Sequence, residues 1–118
     1  MKRTPTEIIQ SHLNKRLNGD LENDIKENFS ENIIILSAYG IFKGHEGIRA
    51  SSAELNRLLG DSIFKYRRVL IEDNYALLEW QAKSADREIK DGVDSFVIEN
   101  EKIVFQAIHY TVQKRKEE

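Results

Sequence analysis

The stretch DGVDSFVIENEKIVFQAIHYTV, Asp91 to Val112, constrains the fold more than any other part of the chain. Alternation of apolar and polar residues on either side of Asn100-Glu101 is the signature of two strands joined by a tight turn. Pairing Glu99 with Lys102 sets Ile98 opposite Ile103 and Asp94 opposite Ala107. On that register Asp94, Phe96, Ile98, Ile103, Phe105, Ala107 and His109 share one face, because alternate strand residues point the same way. The turn lacks the glycine that two-residue hairpin turns prefer, and a slip of one residue separates Asp94 from His109. A face so rich in hydrocarbon needs a cover, so its carboxylate and imidazole are expected within an apolar enclosure.

Upstream, the signals are helical. Thr4 can cap, Pro5 suits a first helical position and Glu7 completes a capping box, while Ile8, Ile9, His12, Leu13, Arg16 and Leu17 recur at helical spacing. Asn18-Gly19 ends that pattern, and Asp20 can cap a second helix carrying Leu21, Ile25 and Phe29. NIIILS then predicts a strand, and IRASSAELNRLLG a third helix closed by Gly60. Ser62 to Ile71 and Tyr75 to Ser84 return to period two, and ADREIKDG separates them from the closing hairpin. The tail QKRKEE is expected to fray. At 118 residues this is one α+β domain, residues 1–118, with helices packed on one face of a curved antiparallel sheet and a charged tail at 113–118.

Composition removes several function classes. The net charge of −2 gives no basic excess for a nucleic-acid partner, and without cysteine there is neither a thiolate metal site nor a cysteine nucleophile. MKRTPTEIIQ lacks the apolar core of a signal peptide, and no run approaches a membrane span, so the expectation is a cytoplasmic protein without membrane contact. His12, His45 and His109 lie on different elements without metal-ligand spacing, so no metal is expected. The glycines of GIFKGHEG do not fit a dinucleotide fingerprint and read as a turn, with anion binding at the next helix as the alternative.

The strings LNGDLENDIKENFSENIII, GIFKGHEGIRAS and VDSFVIENEKIVFQAIHY, in this order, give the chain a resemblance to the nuclear transport factor 2-like superfamily. That superfamily includes SnoaL-like polyketide cyclases and ketosteroid isomerases. The resemblance spans nearly the whole chain. It implies a cone-shaped, strongly curved sheet of the cystatin-like type, with three helices of the amino-terminal half on its concave face. It also implies an apolar pocket between helices and sheet, a small apolar or aromatic ligand, no cofactor, and pairing through the outer sheet face.

Carried over from the ketosteroid isomerase pattern, Asp94 matches a pocket carboxylic acid and His12, eight residues before Asp20, matches a pocket tyrosine. The third position of that pattern, a carboxylate base, is Ser37 here. Serine without an activating partner does not shuttle a carbon-bound proton, which disfavours steroid isomerisation.

Burial raises a carboxyl pKa, so Asp94 can serve as a neutral acid toward a carbonyl, with His12 or His109 as base. The plainer alternatives are Asp94 bonded to amides near an Asp91-Gly92 turn and histidines with structural hydrogen bonds. Tyr39, Trp80, Phe96 and Phe105 are the expected aromatic lining, although most aromatics simply fill cores. The opposite hairpin face, with Val93, Val97, Val104 and Ile108, is also apolar, and a second copy is its expected cover. Two functions remain open: a cofactor-independent isomerase, cyclase or hydrolase acting on an apolar carbonyl compound, and a non-catalytic ligand-binding or dimerisation module.

Overall fold

The computed structural model describes residues 2–115. Its elements run α1 (Pro5–Leu17), α2 (Leu21–Asn28), β1 (Phe29–Ser37), β2 (Gly40–Lys43), α3 (Gly44–Leu59), β3 (Ile63–Glu72), β4 (Tyr75–Lys83), β5 (Arg87–Glu99), β6 (Lys102–His109) and β7 (Gln113–Lys114). Both halves of the capping box at α1 form: Glu7 N donates to Thr4 Oγ1 at 3.1 Å and Thr4 N donates to Glu7 Oε1 at 2.8 Å. Gly19 then takes a φ of 69°, a left-handed value open to glycine at little steric cost. Asp20 precedes α2 but makes no side-chain cap; its carboxylate accepts from Asn23 Nδ2 at 2.9 Å instead.

The sheet is open and curved, ordered β2-β1-β6-β5-β4-β3, with β7 pairing with β5. All neighbours are antiparallel except β1 and β6, which run parallel, so the sheet is mixed and not purely antiparallel as expected from the sequence. The parallel pair arises because α3 and the β3-β4-β5 meander intervene between β1 and β6, returning the chain in the same direction. The helices lie on the concave face, where Ile8 and Ile9 of α1, Ile25 of α2 and Ile48 of α3 are buried with Ile33 and Ile35 of β1. No helix among the described residues is long and apolar enough to cross a membrane.

Three differences from the sequence reading matter. First, β5 runs unbroken through Asp91 and Gly92, so no turn lies there. Glycine is needed for a steric reason: a Cβ at Gly92 would come within 2.3 Å of Trp80 Cδ2, because the indole lies flat across the backbone. Second, Gln113 and Lys114 pair with Glu88 and Arg87, and Arg115 donates to Ser84 O at 2.6 Å and, through its amide, to Asp86 O at 2.9 Å. The first residues of the supposed frayed tail are thus held by a strand edge; residues 116–118 lie outside the described range.

Third, the closing hairpin carries a bulge. The expected turn forms, with Glu99 opposite Lys102 and Ile98 opposite Ile103. Asn100 and Glu101 both adopt left-handed φ values, 50° and 63°, and Arg3 reinforces the turn by bonding Glu101 Oε1 through its amide and Glu101 O through its guanidinium. Beyond it Val97 faces Phe105, leaving Val104 as an extra residue. Asp94 therefore faces Ile108 instead of Ala107. From Phe105 onward β6 presents the opposite set of side chains: Gln106 and Ile108 turn to the concave side with Asp94, while Phe105, Ala107 and His109 pair with outward-facing Val97, Ser95 and Val93.

Candidate functional site

Between the helices and the concave sheet face lies a cavity with about 80 Å³ open to the centre of a water-sized sphere. A single water needs only about 10–15 Å³ by this measure, so the space holds several waters or one compact organic group. Helix α1 contributes His12 and Arg16 to its wall, the strands contribute Trp80, Asp94 and Gln106, and Tyr39 and Tyr110 also line it.

Asp94 sits on β5 with both carboxyl oxygens occupied by donors: Trp80 Nε1 reaches Oδ1 at 3.0 Å and Gln106 Nε2 reaches Oδ2 at 3.2 Å. Burial pushes its pKa above the usual carboxylate value, outweighing the downward pull of Trp80, His12, Arg16 and Gln106. Asp94 nonetheless retains some accessible surface, and it lines the cavity.

His12 is 5 % exposed, its ring wedged edge-on against Phe29 at 5.3 Å and Phe96 at 5.5 Å between ring centres. Its Nδ1 lies 2.7 Å from Oδ2 of Asp24, a fully buried carboxylate on α2. Asn28 Nδ2 donates to Asp24 Oδ1 at 2.9 Å, and Arg3 Nη1 donates to Asn28 Oδ1 at 2.7 Å. A carboxylate only accepts hydrogen bonds, so this chain places a proton on His12 Nδ1, and in the neutral form of the ring Nε2 carries the lone pair. Among the described residues Nε2 has no hydrogen-bond partner. Asp24 thus relates to His12 as an orienting carboxylate does to a catalytic imidazole.

The residues expected from the sequence separate as follows. His12, Asp94, Tyr39 and Trp80 line the cavity. His109 does not: the hairpin bulge turns it to the outer face, where it is exposed. The same shift carries Phe105 outward, against Leu77 and Val97. Phe96 faces inward but is 2 % exposed and packs against His12 without lining the cavity. Ser37 does line it, but its hydroxyl accepts the Tyr39 amide at 3.0 Å. His45 Nε2 lies 3.0 Å from Phe29 O, and His45 does not line the cavity.

Asp24, Gln106, Arg16 and Tyr110 also line the site without having been expected there from the sequence, and Tyr66 adds a further aromatic to the lining. Burial raises the phenol pKa of both Tyr66 and Tyr110, keeping them as donors. Asp24 and Asn28 did leave a trace, since a carboxylate and an amide four residues apart adjoin the buried Ile25 and Phe29.

This arrangement is found in a fold with many relatives. Residues 10–106 match the SnoaL-like domain family. No curated protein matches the chain. Among solved structures, a nuclear transport factor 2-like protein from Burkholderia xenovorans LB400 is 16% identical with a TM-score of 0.75, the match covering 91% of this chain and 82% of that one. TerC, co-crystallised with polyporic acid, is 15% identical with a TM-score of 0.75, covering 91% of each chain. A polyketide cyclase-like protein from Sinorhizobium meliloti is 11% identical with a TM-score of 0.70, covering 86% of this chain and 92% of that one. At such identities the structural likeness establishes the fold alone, that of nuclear transport factor 2-like proteins, whereas the domain match covers most of the sequence: the chain belongs to the SnoaL-like domain family.

Proposed function

We propose that the protein binds a compact, largely apolar carbonyl compound in this cavity and catalyses proton transfer on it without a cofactor, as an isomerase, cyclase or hydrolase. The observation that carries the reading is the presence of two unlike proton carriers, His12 and Asp94, on the wall of one cavity. In this mechanism His12 Nε2 accepts a proton from the carbon next to the carbonyl, while Asp24 stabilises the imidazolium that forms. Asp94, its pKa raised by burial, is the protonated partner and donates a hydrogen bond to the carbonyl oxygen as enolate charge develops. Trp80 and Gln106 hold its carboxyl group by donating to its remaining acceptor positions. Return of the proton from His12 to a different carbon completes an isomerisation; attack of the enolate carbon on a second carbonyl, with the proton held by His12 returned to the alkoxide so formed, completes a cyclisation.

Binding without chemistry is the second reading, favoured by one observation: Ser37, where ketosteroid isomerases resemble this chain but carry a base, has its hydroxyl engaged by the backbone. The two readings separate in an NMR titration of His12 and Asp94 against pH, with and without phenylacetone. Catalysis requires both groups to shift on adding ketone; shifts confined to neighbouring apolar residues favour binding alone, and no response at any cavity residue removes both readings.

The outer face supports pairing of two copies. One row of register partners, Ile41, Leu36, Ala107, Ser95, Leu77 and Leu70, crosses the sheet with a single polar member. Ile41 is 67 % and Leu70 48 % exposed. No helix among the described residues covers that row, and a two-fold copy of the same sheet offers a complementary surface. Sedimentation velocity decides: a monomer at all accessible concentrations ends the pairing proposal.

A further inference from the structure

The cavity wall contains a cation with no anionic partner among the described residues. Arg16 lies one helical turn beyond His12 on α1, so both side chains project from the same side of the helix. It lines the cavity and is only half-buried. The one hydrogen bond made by its guanidinium among the described residues is from Nη1 to Ser52 Oγ, at 3.1 Å. It belongs to no ion pair among those residues. The carboxylates that share the cavity are otherwise engaged: Asp24 by His12 and Asn28, Asp94 by Trp80 and Gln106, and Glu54 by Arg57 Nη2 at 2.6 Å. Arg16 is nevertheless close enough for its charge to act on both Asp94 and Tyr66.

A guanidinium has five donors arranged as a planar fork, and a single serine hydroxyl uses one of them. Next to an apolar wall, the unused edge of that fork is the natural seat for a planar anionic group such as a carboxylate, held by two parallel hydrogen bonds. Ser51, Ser52 and Tyr66 also line this side of the cavity and offer hydroxyl donors beside the guanidinium. Leu55, Phe42 and Phe64 supply hydrocarbon for the remainder of a ligand.

We infer that the cavity is built for a monoanionic keto acid, whose carboxylate docks on Arg16 while its carbonyl lies toward Asp94 and His12. The inference rests on the cavity being the ligand site and adds the charge of the ligand and the residue that selects for it. Arg16 is a binding and specificity residue here; proton transfer stays with the other two. Having the cation on the same helix face as the base also means that an enolate formed beside His12 develops its charge near a fixed positive group.

The test uses benzoylpropionate, a flexible aryl keto acid, and its neutral amide, which differ in charge and little in shape. Binding is followed by NMR at the Arg16 Nε–Hε group and at Asp94. The acid binds about tenfold or more tightly than the amide, as expected for a charge-assisted contact, and added salt narrows the gap. Arg16→Gln removes the preference by weakening the acid far more than the amide, and Arg16→Lys restores part of it through charge without the fork. Equal affinities, or no response at Arg16 with either compound, overturn the inference. A response at Asp94 without one at Arg16 overturns the inference while sparing the proposed function; a response at Arg16 without one at Asp94 sustains the inference and counts against the catalytic role of Asp94.

Discussion

Replacing Asp24 by asparagine tests the buried polar chain beneath His12 with almost no change of shape. Asp24 accepts from two sides, His12 Nδ1 at 2.7 Å and Asn28 Nδ2 at 2.9 Å, and is fully buried. An asparagine offers one acceptor and one donor. If its NH₂ group faces Asn28, two donors confront each other with no water to relieve them. Asn28 cannot flip to help without turning its own NH₂ toward Arg3 Nη1, another donor, now 2.7 Å from its oxygen. An orphaned buried donor costs about 1–3 kcal/mol. At about 4 °C per kcal/mol for a domain near this size, the variant melts about 4–12 °C lower. If the NH₂ group instead faces His12, the loss falls to the lower end and the ring proton is driven from Nδ1 to Nε2, removing the lone pair that would act as base. Thermal melts followed by circular dichroism, with nitrogen–proton correlation of the imidazole, distinguish the two. A melting temperature within about 1 °C of the wild type, together with an unchanged tautomer, refutes the reasoning.

Three further outcomes are expected. Gly92→Ala forces the Trp80 indole off the β5 backbone, since the new Cβ would lie 2.3 Å from it; the change costs about 1–3 kcal/mol and alters indole emission, whereas unchanged melting and emission contradict this packing. Asp94 has a folded pKa above its ordinary value of 3.8, so its contribution to stability is fully present below the unfolded pKa and is lost as pH rises through the folded one. Asp94→Asn cannot ionise, so its melting temperature gains on the wild type as pH rises above the ordinary carboxylate range, and a difference independent of pH counts against the raised pKa. Phe105→Glu puts a charge beside Val97 on the outer face and is expected to abolish the proposed pairing, sedimenting as a monomer at concentrations where the wild type is expected to pair; a dimer unaltered by the substitution would place the interface elsewhere.

What the sequence disclosed, and what it hid, follows from how far each signal reaches along the chain. The capping box at Thr4 and Glu7 is complete within four residues, and the turn at Asn100-Glu101 is bracketed by strands whose period is visible on both sides. The bulge at Val104 was illegible because both alternations of β6 are apolar: Phe105 and Ala107 make as plausible an inner face as Ile108 and Tyr110. Only packing against the helices decides the phase, and with it the fates of His109 and Phe105. Gly92 resembled a turn residue because the reason for glycine is an indole on the neighbouring strand. The pairing of Gln113 and Lys114 with β5 runs through the backbone, which leaves no side-chain pattern to read. His12 and Asp94 were legible as inward-facing positions, but the carboxylate that orients His12 comes from another helix, and residue spacing does not encode contacts between helices.

If His12 and Asp94 act together on a carbonyl compound inside this cavity, deuterium uptake by that compound reports it directly. Phenylacetone incubated with the protein in deuterium oxide, followed by proton NMR, should lose its signal from the carbon next to the carbonyl faster than in buffer. The excess rate should vanish in His12→Ala and fall by a factor of about 100 or more in Asp94→Asn, within the range typical of a positioned acid or base. An excess rate that survives both substitutions in folded protein would contradict the account.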